Sequence, residues 1–377
     1  MKKLGIYVHV PFCRKKCSYC DFYSVRWDDE LEHKYVESVK EEIEEYKKVL
    51  DGSYKVDTLY FGGGTPTIIK PSNIKKIADS VEKFSKIEED AEISMEANPN
   101  TLTDDNLKEY KKAGINRLSI GIQSLNDDIL KKIGRLHNSR EALDAIDRAI
   151  NCGFENINAD VMFNIPGQTV EDIEDTLKRI MDKGVKHISF YSLKLEKGTP
   201  LYLMEQKKLI TMPEEDTERE MYYRGREIME EGGLMQYEIS NFSANGKQCL
   251  HNLKYWNQDE YLGLGPSAHS FLDRTRYSNP SDLKLYCMGT KAFERTIQEK
   301  MDMEDLMFEY IMLMLRLTEG LDTEKFKGRY SIDFFEKYKR QLEILTANKL
   351  IEISENMVRL THRGMDISNY VFEEFME

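Results

Sequence analysis

From its start to about residue 200 the chain alternates short apolar runs with charged amphipathic ones, and that rhythm narrows the folds open to it. Runs rich in Ile, Val, Tyr and Phe stand at Leu4–Val10, Val56–Phe61, Glu92–Ala97, Arg117–Ile122, Ile157–Phe163 and His187–Ser192, most of them bounded by Gly, Pro, Asn or Asp. Helical patterns lie between them at Leu31–Leu50, Asn73–Phe84, Asp104–Ala113, Ser139–Cys152 and Val170–Lys183. Ser72, Thr103 and Ser139 mark helix starts, and Gly114, Gly153 and Gly184 stand where a helix takes a left-handed C-terminal cap. Six strands alternating with helices predict an α/β fold with a parallel sheet and right-handed crossovers. Six units are too few for a full eight-fold barrel.

Directly after the first apolar run comes Cys13-Arg14-Lys15-Lys16-Cys17-Ser18-Tyr19-Cys20. Three thiolates at this spacing suit one small inorganic centre. They are one ligand short of closing a four-coordinate zinc site. A [4Fe–4S] cluster normally takes four cysteines, so three would leave one iron open to a small molecule. The alternative is a set of ordinary buried or zinc-binding cysteines.

Cys-x3-Cys-x2-Cys with Tyr19 before the last cysteine resembles the radical S-adenosylmethionine (SAM) signature. The resemblance implies an open (β/α)6 barrel whose open iron is chelated by the amino and carboxylate groups of SAM, with reductive cleavage to a 5′-deoxyadenosyl radical. The wider stretch from Tyr7 through Cys13 to Asp21-Phe22-Tyr23 resembles the oxygen-independent coproporphyrinogen III dehydrogenase family and its HemW heme chaperone branch. In parallel α/β folds chemistry sits on loops after the strand C-termini. Gly62-Gly63-Gly64-Thr65 follows the second strand there, and three glycines let backbone groups approach a ligand closely. The resemblance assigns that loop to the methionine end of SAM. It carries Glu96, Gln123, Arg135 and Asp160 over as residues lining SAM, and Tyr7 as a cofactor-contacting tyrosine.

Phe22 departs from the dehydrogenase, which commonly has a further cysteine at that position. The long N-terminal extension of the dehydrogenase is also missing ahead of Cys13. Both point to the chaperone branch rather than to coproporphyrinogen decarboxylation. His251-Asn252-Leu253-Lys254-Tyr255-Trp256 looks like a hallmark of that branch. Imidazole is the usual protein ligand of heme iron, so His251 is the candidate heme contact; the alternative is a core histidine satisfying a backbone carbonyl. His269 and Cys249 have weaker claims. A porphyrin-modifying radical SAM enzyme is the alternative function, and another radical SAM substrate, as in a heme-cleaving relative, a third.

The 377 residues carry a formal net charge of -13, which argues against a nucleic-acid partner. Six cysteines, three of them in one motif, make a disulfide framework unexpected and fit a reducing cytoplasm. Met1-Lys2-Lys3 leads straight into a strand, leaving no room for a signal peptide. The expected partners are heme or porphyrin, a recipient hemoprotein (respiratory and membrane-associated) and a reductant such as flavodoxin or ferredoxin. Past residue 200 the rhythm fades into a charged helix over Thr211–Glu231 and a short strand and turn at Tyr237–Phe242. From about Lys300 come an apolar helix over Leu306–Leu317, three helical pieces (Thr323–Phe326, Ser331–Tyr338, Lys339–Asn348) and a hairpin around Ser354-Glu355-Asn356. The expected organisation is a radical SAM core over 1–215, a β/helix extension over 216–295 and a winged-helix-like domain over 296–377.

Overall fold

In the computed structural model, which describes residues 1–50 and 52–376, all six expected runs are strands. They are β1 (Lys2–Val10), β2 (Tyr54–Gly63), β3 (Ile87–Ala97), β4 (Arg117–Gln123), β5 (Asn156–Phe163) and β6 (His187–Ser192). They lie side by side in that order, and each adjacent pair is parallel. β4 is buried at every position, as a strand covered on both faces must be. The covering helices are Asp29–Leu50, Pro71–Phe84, Asp104–Lys112, Ser139–Asn151 and Val170–Asp182.

Two of the helix starts differ from expectation. Thr103 does cap its helix, accepting the Asn106 N–H, but Ser72 and Ser139 do not cap theirs. Pro71 sets the first helical φ in one case, and Asn138 forms a capping box with Glu141 in the other. The three helix-ending glycines have φ of +93°, +82° and +80°, as the left-handed cap requires. The charged helix after residue 200 begins at Glu215, not Thr211. A further helix, Asp127–Lys132, follows β4 and had no counterpart in the sequence reading.

The sheet is wider than six strands. Beyond β6, β7 (Met235–Glu238) and β8 (Asn241–Ser243) add antiparallel pairs. At the other edge β9 (Tyr261–Leu264) lies parallel to β1, followed by the antiparallel strands β10 (His269–Leu272), β11 (Thr275–Ser278) and β12 (Thr296–Lys300). The result is one twelve-stranded mixed sheet in the order β12-β11-β10-β9-β1-β2-β3-β4-β5-β6-β8-β7. β9 escaped the sequence reading because it is four residues long and contains Gly263. A Cβ there would stand 2.1 Å from the His269 carbonyl oxygen, so the glycine serves close backbone approach at the expense of strand propensity.

The residues after Met301 build a second core, in which Met307, Ile311 and Leu315 of the helix Met303–Arg316 pack against Phe326, Phe334, Leu345 and Val358. The expected hairpin pairs Ile351–Ser354 with Met357–Leu360 through Glu355, whose φ is +53°. This unit is mainly helical with a small three-stranded sheet.

Packing against the sheet is tight at Gly225, on the helix Glu215–Glu231, where an added Cβ would come 2.6 Å from the Phe190 ring. Gly225→Ala gains about 1 kcal/mol of helix propensity but overpacks a buried contact costing roughly 1–3 kcal/mol. Chemical denaturation is expected to show net destabilisation; a stabilised variant would mean that Phe190 can give way.

Candidate cofactor site

The loop after β1 brings the three cysteines to the C-terminal mouth of the parallel strands. Its backbone is tied down on both sides: the Ser18 N–H donates to Ile133 O at 3.0 Å, and the Leu201 N–H to Ser18 O at 2.9 Å. Tyr19 packs against a small apolar cluster of Ile129, Ile133, Met162, Ile165, Leu193 and Leu201. The unforeseen helix Asp127–Lys132 and its C-terminal residue Ile133 therefore serve as the platform for the cysteine loop.

Cys13, Cys17 and Cys20 line one cavity of about 420 Å³. The predicted Gly63, Gly64, Thr65, Glu96, Gln123, Arg135 and Asp160 line it too; Tyr7, Gly62 and His251 do not. Among the described residues no three His, Cys, Asp or Glu side chains converge on a single ion. A four-iron cluster seats each thiolate on a different iron, so three free cysteines lining one cavity suit it. Burial pushes the Cys20 thiol up to about 11, so loading with iron must expel a proton there.

A polar chain runs from the first cysteine to the second. Cys13 Sγ lies 3.6 Å from Thr65 Oγ1, which accepts from Asn98 Nδ2 at 2.9 Å. Asn98 Oδ1 accepts from Arg135 Nη2 at 2.7 Å, and Arg135 Nη1 reaches Cys17 Sγ at 3.6 Å. Arg135 Nη2 also donates to Gly121 O at 2.5 Å, which anchors the guanidinium to β4, while its Nε is buried without a partner. A cation beside a thiolate favours the charged, metal-binding form. Asn98, directly after β3, is the middle link of this chain.

The glycine loop behaves as a cradle. Gly63 has φ +111°, and a Cβ at Gly62 would stand 2.8 Å from the Tyr7 ring and 3.0 Å from Glu96 Oε1. Gly63 N–H donates to Glu96 Oε2 at 3.0 Å, and Tyr60 OH to Glu96 Oε1 at 3.1 Å. Tyr7 stands one layer behind, its ring 6.1 Å from that of Tyr60. Gln123 is held at φ +69°, in the left-handed region, with its Oε1 accepting from Tyr191 OH at 2.8 Å. Strain of that kind persists where the surroundings enforce it, as at binding sites.

Burial, and then the charge of Asp160, push the Glu96 carboxyl from the ordinary 4.5 up to about 7. The folded chain therefore keeps this proton after the unfolded chain has lost it, so its contribution to stability falls as pH rises from about 4.5 to 7. That loss is on the order of 3 kcal/mol. Without added ligand, Glu96→Gln is expected to flatten this part of the pH–stability curve; an unchanged slope would place the titration elsewhere.

His251 lies outside this cavity. It is buried, with Nδ1 2.9 Å from Thr58 Oγ1 and Nε2 2.8 Å from Tyr255 OH, and burial drives its pKa down to about 3. Both ring nitrogens are engaged by the protein, so neither is free for an iron in this structure. Its ring instead stacks on Tyr60 at 5.1 Å, behind Glu96. The short helix Leu250–Trp256 is docked on the barrel by Glu92, which accepts from the Leu250 and His251 N–H groups, and by the buried Lys254–Asp57 pair at 2.8 Å. Asn252 is the member of that segment that reaches the cavity. His269 is exposed, and the Cys249 thiol is buried against Glu92.

Residues 7–180 match the radical SAM superfamily model and residues 301–367 the HemN C-terminal domain. The heme chaperone HemW of Bacillus subtilis is 36% identical over 98% of this chain and 98% of its own length. The Escherichia coli heme chaperone HemW is 30% identical over 99% of this chain and 98% of its own. Among solved structures, the coproporphyrinogen III oxidase HemN of E. coli superposes with a TM-score of 0.86 at 21% identity, covering 99% of this chain and 90% of that one, a likeness of fold. Near-full-length identity at this level, together with the cysteine loop and the glycine cradle on one cavity, places the chain in the HemW family of the radical SAM superfamily.

Proposed function

We propose that this protein carries heme on a radical SAM scaffold and delivers it to a recipient hemoprotein. The observation that supports this most is identity to HemW heme chaperones of 30–36% across nearly the whole chain. Phe22 agrees with it: the position where the dehydrogenase commonly has a further cysteine holds an exposed phenylalanine.

Radical SAM membership implies a [4Fe–4S] cluster and SAM, and the cavity fits them. Cys13, Cys17 and Cys20 would hold the cluster, which supplies one-electron chemistry and an open coordination site. Thr65 and Arg135 orient two of those cysteines. Gly63 and Gly64 keep the wall flat, and Glu96, Gln123 and Asp160 offer hydrogen-bond acceptors to the polar groups of SAM. Tyr7 and Gly62 support that wall from behind. Heme is cargo, and we place it at the surface near the helix Leu250–Trp256. His251 acts there as a structural post rather than an axial ligand. A flavodoxin or ferredoxin as reductant, a membrane-associated respiratory recipient and a cytoplasmic setting complete the reading. No helix among the described residues is long and apolar enough to cross a membrane.

Heme titration and coproporphyrinogen III turnover on one anaerobically reconstituted sample test this reading. Saturable heme binding without decarboxylation is expected, and turnover without stable heme binding would replace the carrier with an oxidase. His251→Gln is expected to leave the axial-ligand spectrum of bound heme unchanged. Loss of that spectrum in a folded variant would make His251 the ligand after all.

A further inference from the structure

Arg117, the first residue of β4, points into the barrel and forms part of the lining of the cofactor cavity, with only 2% of its surface exposed. Its hydrogen bonding is almost empty. Among the described residues its one bond is from Nη1 to Ser94 Oγ at 3.5 Å, the outer limit for such a contact, and its buried Nε has no partner. The carboxylates around it balance its charge without hydrogen-bonding to it. Asp160 accepts from Ser119 and Asn158, and Glu96 from Gly63 and Tyr60. Glu92 caps the helix Leu250–Trp256, and its Oε2 comes no closer than 4.0 Å to Arg117 Nε. A guanidinium presents five N–H groups in a planar fork. Buried cations without hydrogen-bond partners are costly, and a planar anion is the group that best relieves such a fork.

We propose that Arg117 forms a carboxylate-binding subsite in the cofactor cavity, gripping a carboxylate arm of a bound ligand. The shared chemistry has two sources: the methionine carboxylate of SAM, or the propionate arm of a porphyrin placed beside it. Ser119 and Asn158 line the same cavity. The inference rests on assigning the cavity to the cluster and SAM, and the cluster's absorbance on the same sample reports on that assignment separately.

The test compares sodium propionate with propionamide, its uncharged isostere, by thermal shift and calorimetry on cluster-loaded wild-type protein, with and without SAM. Propionate is expected to bind at least roughly tenfold tighter than propionamide, as a charge-assisted bidentate contact should. Arg117→Lys, which keeps the charge but loses the fork, is expected to remove most of that preference. Propionate binding that SAM leaves unchanged identifies a separate ligand's arm. Competition with SAM, with weaker SAM binding in Arg117→Lys, identifies SAM's own carboxylate. Equal binding of propionate and propionamide would overturn the proposal and leave Arg117 balanced by Glu92 and water. The wild-type comparison needs no variant, so a misfolded Arg117→Lys does not rescue the idea.

Discussion

Cys17→Ala is expected to abolish the iron–sulfur chromophore after anaerobic reconstitution, and SAM binding with it. Iron content should fall from roughly four per chain to near background, because three thiolates already leave one iron unprotected and two cannot retain the cluster. The structure adds a specific consequence. Arg135 would lose the sulfur that its Nη1 faces at 3.6 Å while remaining tied to Asn98 and Gly121. The cation then stays in place with no thiolate to stabilise, so the loop should remain folded around an empty site. Circular dichroism should therefore be unchanged while the chromophore is lost. Cys152→Ala and Cys287→Ala are the controls, since neither cysteine lines the cavity, and both should retain the cluster. A Cys17→Ala protein that kept its iron and bound SAM would remove the central assignment.

Glu92→Ala is expected to be among the most destabilising single changes in the chain. The carboxylate is 5% exposed and accepts from the Leu250 and His251 N–H groups and the Cys249 thiol, while standing opposite Arg117. Removing it leaves a buried cation uncompensated, which costs about 3–5 kcal/mol. In thermal unfolding of a chain of 377 residues that corresponds to a fall in midpoint of roughly 5 °C. The double variant Glu92→Leu/Arg117→Met removes the charge along with its partner and should recover much of the loss. A single variant within a degree or two of wild type would show that water already screens this pair. Recovery in the double variant would separate electrostatic cost from loss of the helix cap.

The parallel part of the sheet was readable because each of its features is local. The six parallel strands were found with boundaries within a few residues, except that β3 begins five residues early, at Ile87 rather than Glu92. Strand burial on both faces writes long apolar runs, and crossover helices write capped amphipathic ones. The flanking strands were harder to see. β7 through β12 are three to five residues long, so they carry too little periodicity to separate strand from turn. Their order in the sheet, with β9 returning to lie beside β1, is a long-range pairing that no local window contains.

The cavity divides in the same way. Cysteine spacing and the triple glycine are local patterns, and Glu96, Gln123, Arg135 and Asp160 were carried by the family resemblance; all of these, Gly62 aside, line one cavity. Asn98 and Arg117 were not singled out, because an asparagine before a proline and an arginine opening a strand are ordinary in sequence. They became notable only when folding placed one between two cysteine partners and buried the other with its Nε unpartnered. His251 shows the reverse. Its motif suggested a ligand, and tertiary packing sets Thr58 and Tyr255 against its two nitrogens, which is why we propose a structural role for it. Sequence by itself determined the six parallel strands, their main crossover helices and where reactive side chains occur along the chain. Only the tertiary structure decided which of those side chains have unspent hydrogen bonds, because that depends on neighbours brought together from distant parts of the chain.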